Sequence, residues 1–259
     1  MKHLYDQIDS FYLLDIKNST HPSIFIEEET YDILIITLPY MDGELKMESH
    51  AFVFDHKSYY YFDKSKDEFE DFKTMQKVYE FLNTKTNLLM KMVAQLHDGV
   101  DEMEDRLYDN EAPQFMHYWL ATKKDLGRIH RMLNLSVEVL NTFILSYLKE
   151  EDFLAIHFKD IFEHLSRTSR SSFLAMDKLN NLYSFFTSQS NEKMNRTIYL
   201  LTIFSGIFLP LNLMVGYFGM NTQGLPFSGI ANASTWVSWM LLGCAMGMGL
   251  TIWWFKKRL

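Results

Sequence analysis

Counting alternately three and four residues from Asn195 gives Ile198, Thr202, Ser205, Leu209, Asn212, Gly216 and Gly219. Steps of that size return to one face of an α-helix, with a period near 3.5. The face carries most of the polar atoms in 197–221, a stretch with no charged side chain. About 20 apolar residues cross the hydrocarbon core of a bilayer as one helix. A polar group turned toward lipid costs several kcal/mol unless it finds a partner or water. The face therefore meets either other helices, where Ser, Thr and Asn serve as hydrogen-bonding glue, or a water-filled path. Ile198 and Leu209 would then be apolar constrictions that gate by dewetting, or else ordinary packing residues. Pro210 removes a backbone donor and frees the Gly206 carbonyl, which suits a hinge or simply shapes the bundle.

A second constellation is His157, Asp160 and His164, at i, i+3 and i+7 on one helical face. That spacing permits a shared cation site, and a polar face of a bundle is the alternative. All nine histidines precede Leu165, so imidazole can handle zinc only in the part before the apolar run. Glu27, Glu28 and Glu29 read as a solvated acidic run rather than a metal site. The single cysteine, Cys244, excludes an intramolecular disulfide and a Cys-based zinc cluster. No acid, base or thiol cluster lies near the apolar run and no P-loop is present, which argues against an enzyme and against a nucleotide-driven pump.

Charge separates the elements that must position these groups. All 33 acidic residues lie at or before Glu192, so residues 1–192 carry −13 and residues 193–259 carry +5. An acidic soluble part lacks the basic footprint of a nucleic-acid binder and is compatible with attraction of cations. The N-terminus has no apolar core of a secretory signal, which places the soluble part in the cytoplasm. Residues 1–66 read as a small α/β subdomain: a β-rich run at 31–40 stopped by Pro39, a turn at 41–44, and strands at 51–55 and 59–63 joined through His56, Lys57 and Ser58. From Asp67 the spacing of Phe69, Phe72, Met75, Val78, Tyr79 and Leu82 predicts a helix to about Tyr108, and a second helix follows from Gln114 to Tyr147. Residues 67–150 are thus expected to form an antiparallel helix pair with a Met-rich and aromatic core.

Residues 151–196 read as a stalk helix continuous with a first membrane span at 197–219, on the order of 95 Å if unbroken from Ile156. Such a helix needs neighbours, and symmetric copies are the simplest supply. An outward-facing loop at 220–234 leads to a second span at 235–255, with Trp236 and Trp239 at one interface and Trp253 and Trp254 at the other. Gly243 and Gly247 allow close helix approach within it. Lys193 and Arg196 before the first span, and Lys256, Lys257 and Arg258 in the tail at 256–259, place both termini in the cytoplasm. Two helices of one chain cannot enclose a path, so conduction demands an oligomer.

The first span closes on Gly219-Met220-Asn221, and a short loop, a final span and a basic tail follow. This arrangement resembles the CorA magnesium transporter family, whose two-span members carry Gly-Met-Asn at the outer end of the first span. The segment from His157 to His164 is similar to the Arg-Asp-Val-Tyr-Asp-His type of segment found there. The resemblance extends over about 157–259 and is architectural before that. It implies an oligomeric funnel: an α+β cytoplasmic domain, a small N-terminal sheet with long helices, joined by a long stalk helix to two transmembrane helices. It further implies a homopentamer of the inner membrane whose first span lines the pore, and Gly219, Met220 and Asn221 as the entrance that grips a hydrated ion. Asp160, with His157 and His164, falls at a position associated with a regulatory metal between subunits, and Lys256, Lys257 and Arg258 form a basic cytoplasmic ring. The loop Gly224-Leu225-Pro226-Phe227 lacks the carboxylate of magnesium-selective members and looks more like the ZntB zinc-transporter branch. The expectation is a passive divalent cation transporter or channel without a cofactor, for Mg²⁺ ahead of Co²⁺ or Ni²⁺. A Zn²⁺ transporter, with or without proton coupling, and a non-conducting membrane-anchored scaffold are the alternatives.

Overall fold

The computed structural model describes residues 2–55, 58–108, 114–150, 153–220 and 232–258. The chain divides into two compact units, 1–184 and 185–259.

The first unit is built on a five-stranded antiparallel meander in the order β1 (Ile24–Glu27), β2 (Asp32–Asp42), β3 (Glu44–Asp55), β4 (Ser58–Asp63) and β5 (Glu68–Asp71). Strand β2 turns into β3 at Gly43, whose φ of +68° suits a residue without Cβ. Alternation sends Leu34, Ile36, Leu38, Phe52 and Phe54 to one face of the sheet and Ile33, Ile35, Ala51 and Val53 to the other. Two short N-terminal helices, α1 (Lys2–Gln7) and α2 (Ser10–Lys17), cover the second face with Leu4 and Ile16, helped by Ile8 from the link between them. The first face packs on α3 (Met75–Tyr108), α4 (Phe115–Tyr147) and the start of α5 (Ala155–Phe218). Central strands are therefore buried on both sides, which explains why β2 reads as a continuous apolar run rather than an alternation.

Two sequence expectations change here. Pro39 does not stop β2, which continues to Asp42: β1 pairs only as far as Ile35, so Pro39 lies where β2 has a partner on one side only, the position that tolerates a missing donor. The helix expected from Asp67 begins at Met75, because 68–71 is strand β5. Left-handed backbone at Asp67 (φ 55°) and Lys73 (φ 59°) brackets that strand.

Aromatic and polar contacts set the order of the helices. Tyr79 of α3 meets His157 and Phe158, and Asp101 further along α3 meets Lys178, so α3 and α5 run parallel. On α4, Trp119 stacks on Tyr183 and donates Nε1–H to the Leu179 carbonyl at 2.9 Å, whereas Phe143 meets Phe158. Helix α4 is thus antiparallel to both. A buried hydroxyl set ties α4 to the sheet: Ser136 donates to the Thr37 carbonyl at 2.8 Å, and its Oγ lies 2.8 Å from Ser23 Oγ.

The second unit contains the rest of α5 and helix α6 (Ala233–Arg258). Helix α6 runs to Arg258, so the basic residues read as a tail continue the helix.

Candidate functional site

Among the described residues one helix, α5, is long and apolar enough to cross a membrane, with a window of mean hydropathy 2.0, none of it buried. Its two long faces differ. Asn195, Ile198, Thr202, Ser205, Leu209, Asn212 and Gly216 are all exposed. The partly covered positions of the same stretch are Ile203, Ile207, Pro210, Leu211, Met214 and Phe218. At about 100° per residue the two sets lie on opposite sides of the helix. One side of the helix is partly covered, and the polar stripe lies open together with apolar Leu201, Phe204, Phe208 and Leu213. In α6 the partly covered set is Val237, Leu241, Cys244, Ala245 and Met248, also one face.

Within the stripe, Thr202 donates its hydroxyl to the Ile198 carbonyl at 2.8 Å, which satisfies the proton and leaves oxygen lone pairs outward. Thr197, beside the stripe, does the same to Lys193 at 3.0 Å. No hydrogen bond among the described residues engages the side-chain amides of Asn195 or Asn212. Two amides at the surface of a long apolar helix are costly in lipid alone and useful against water or another helix. Pro210 lies inside α5, which continues through it to Phe218.

The helix ends at Gly219, whose N–H donates to the Val215 carbonyl at 2.8 Å. A Cβ built on Gly219 would sit 2.9 Å from that same carbonyl oxygen, closer than real side chains approach backbone. Glycine is therefore demanded by the way the chain leaves the helix. Met220 follows, exposed, and Asn221 lies outside the described residues, as does the loop through Ala231. Of the basic residues after the second apolar stretch, Lys257 lies over the Trp253 ring at 5.5 Å, and the side chains of Lys256 and Arg258 are outside the description.

The stalk constellation is brought together only in part. His164 Nε2 lies 3.3 Å from Asp160 Oδ2, one turn away. Its Nδ1 is buried without a partner among the described residues. His157 turns instead edge-on to Tyr79, with ring centroids 5.0 Å apart. Among the described residues no group of three or more His, Cys, Asp or Glu side chains is arranged to hold a metal ion. Of the triad, Asp160 and His164 are the two that stay together.

Sequence reasoning overlooked two features. The first is Lys178, whose ammonium donates to Asp101 at 2.7 Å and pairs with Glu104, a cross-helix clamp on α3. Asp101 holds a lowered carboxyl pKa through the Lys178 hydrogen bond, and that bond likewise raises Lys178. Asp98, Asp101, Glu102, Glu104 and Asp105 are close in sequence, but the lysine that pairs with Asp101 lies 77 residues away. The second is His50, almost fully buried between Glu48, Tyr61 and Phe81, which desolvation lowers to about 4 and so keeps neutral. A groove of about 1040 Å³ lined by Glu27, Glu28, Asp32 and Tyr147 collects the N-terminal acidic run. Three of its carboxylates are engaged by hydroxyls: Glu27 by Ser146, Glu28 by Tyr12, Asp32 by Tyr147.

Comparison with known proteins places this geometry in context. The family model described as CorA-like Mg²⁺ transporter protein matches residues 59–257. The divalent cation transporter CmaX of Pseudomonas aeruginosa is 26% identical over 182 residues, covering 69% of this chain and 52% of the relative. The zinc transport protein ZntB of Yersinia enterocolitica is 22% identical over 180 residues, covering 68% of this chain and 53% of the relative. The complete structure of the CorA magnesium transporter from Methanocaldococcus jannaschii superposes with a TM-score of 0.79 at 19% identity, covering 95% of this chain and 83% of that one. The chain spans about half the length of the sequence relatives it matches. The α+β unit with long helices continuing into an apolar segment is the fold that this likeness shows.

Proposed function

The chain belongs to the family of CorA-like Mg²⁺ transporter proteins, and from that premise we propose that it carries divalent metal cations across a membrane through a path lined by the exposed face of α5 from several copies. The observation that carries the reading is the open polar stripe: Asn195, Thr202, Ser205 and Asn212 lie exposed on one face of α5, opposite the partly covered Ile203, Ile207 and Met214. One chain gains nothing from that arrangement in lipid. A ring of copies, a homopentamer by family analogy, turns those side chains toward a common axis, where water or hydrated ions satisfy them.

Mg²⁺ is the first candidate, with Co²⁺ and Ni²⁺ as close relatives in size and charge. Asn221 would grip the ion through its water shell, Gly219 lets the chain leave the helix at the required place, and the amides and hydroxyls below offer neutral rings. Ile198 and Leu209 narrow the path with apolar side chains and gate it by dewetting. Flow is passive, driven by the ion gradient and the membrane potential. Asp160 and His164, completed by groups of a neighbouring chain, form the regulatory metal position, and metal bound there holds the closed ring. Lys193 and Arg196, with the basic end of α6, fix both termini in the cytoplasm of an inner-membrane protein with α6 as the second span. Lys256, Lys257 and Arg258 surround the cytoplasmic exit.

A specific feature favours Zn²⁺ as a second reading. The loop after Asn221 carries no carboxylate between Asn221 and Ala233, and ZntB is among the matched relatives. The test is uptake into liposomes by purified protein. Asn212→Leu on the polar face should reduce flux at least about tenfold, whereas Ile207→Leu on the covered face should leave it within about twofold. Equal flux in the two variants would remove the polar face from the path.

A further inference from the structure

Two charged stripes on the first unit specify a contact of the ring, an inference that rests on the oligomeric reading above. Lys124, Arg128 and Arg131 on α4 are spaced by four and three residues and share one helical face. Among the described residues no ion pair engages them, although residues 1–192 carry a net −13. Asp98, Glu102 and Asp105 repeat the same spacing on α3; Glu102 pairs only with Arg106 of its own helix, and no described ion pair takes Asp98 or Asp105. Arg128 is half-buried and the other five are exposed.

The stripes face away from the core and sit at one level. Val100 and Leu107 of α3, and Leu126, Ile129 and Leu133 of α4, are buried, which turns the charged faces to the opposite sides of their helices. Asp101 lies beside Lys178, and a Cβ at Gly127 would lie 3.8 Å from Met176 Sδ, so both stripes flank the same turns of α5. One copy thus presents three cations on α4 and three anions on α3, each at 3-4 helical spacing and each unmatched by the other within the chain.

We propose that the Lys124–Arg128–Arg131 stripe of one copy docks on the Asp98–Glu102–Asp105 stripe of the next. The contact joins two different surfaces, the head-to-tail type that closes into a ring. Opposite charge at equal spacing fixes its register, and its partly exposed pairs loosen as salt rises.

The test uses the full chain in detergent micelles with Cys244→Ser as background. Asp98→Cys combined with Arg128→Cys should give, with a short bis-maleimide, a ladder of cross-linked species that neither single cysteine gives. Reversing the cationic stripe (Lys124→Glu, Arg128→Glu, Arg131→Glu) should lower the oligomer fraction about fivefold at low salt, and adding Asp98→Lys, Glu102→Lys and Asp105→Lys should restore it. Protein that is oligomeric by light scattering yet cross-links no better than the single cysteines overturns the contact and leaves the ring standing. A double reversal that fails to recover the oligomer, with the ladder absent, overturns it equally. Wild-type chain that is monomeric in micelles and in nanodiscs removes the ring reading itself, and the contact with it.

Discussion

Gly219→Ala probes the end of α5 with one methyl group. The added Cβ would meet the Val215 carbonyl oxygen at 2.9 Å, the same oxygen that accepts the Gly219 N–H at 2.8 Å. Relief requires roughly 0.5 Å of movement, about 8° of rotation over one 3.8 Å Cα–Cα step. A backbone distortion of that size costs about 1 kcal/mol per copy. The strain falls where α5 ends ahead of Met220, so in the proposed ring every copy carries it. One such increment corresponds to about fivefold in rate, and several copies compound it. The expected Mg²⁺ uptake by Gly219→Ala in liposomes, followed with an enclosed indicator, is therefore below about one fifth of native. Gly206→Ala is the internal control, because a Cβ there meets nothing within 4 Å. Its uptake should stay within about twofold of native, helped by the better helix propensity of Ala. A well-assembled Gly219→Ala protein with native uptake would refute the reasoning that close backbone approach is why glycine stands there.

Substitutions at three residues of the first unit give further outcomes. Lys178→Met removes the clamp between α5 and α3; its partners are a third to a half exposed, so the loss is about 1 kcal/mol, read as a lower denaturant midpoint. The Asp101 carboxyl is lowered by Lys178, so its share of that stability is present above the ordinary carboxylate range and disappears as pH falls through the folded value; Lys178→Met should flatten the acid limb of a stability–pH profile. His50 is lowered to about 4 by burial, so the unfolded chain takes up its proton first: stability should fall as pH drops from about 6.5 toward 4, and His50→Gln should reduce that slope. Asp160→Asn should make flux less sensitive to Mg²⁺ on the cytoplasmic side, raising the inhibitory concentration at least about threefold. An unchanged inhibition curve would remove Asp160 from regulation.

The long apolar run of α5 is the most legible part of the chain, because an uncharged run needs no tertiary information to be recognised. Its period also revealed the polar face. The covered face on the other side was not read, since Ile203, Ile207 and Met214 look like any apolar residue of a span. In the first unit the long helices followed their hydrophobic period, but the sheet was underestimated. Strand β3 begins at Glu44, inside the expected turn at 41–44, and runs through 45–50, where Leu45, Met47 and Ser49 alternate with Lys46 and Glu48 and no strand is expected from the sequence. Helices α1 and α2 were missed because their use, covering Ile33 and Ile35, depends on a sheet buried on both faces. Phe69 and Phe72 imitate a helical step, and the turns around β5 rely on left-handed Asp67 and Lys73 rather than glycine. The candidate metal triad shows the same limit. Spacing places His157, Asp160 and His164 on one face, but it cannot show that the His157 ring is turned to Tyr79.

Ion uptake by purified protein in liposomes tests the central claim most directly, with Mg²⁺ and Zn²⁺ compared with and without a pH gradient, and wild type compared with Asn221→Ala. The account predicts nucleotide-independent, saturable Mg²⁺ uptake that Asn221→Ala abolishes. Zn²⁺ uptake that depends on the pH gradient would shift the assignment to the zinc reading. Folded, oligomeric protein that carries neither ion under any gradient would contradict the claim and leave a membrane-anchored scaffold.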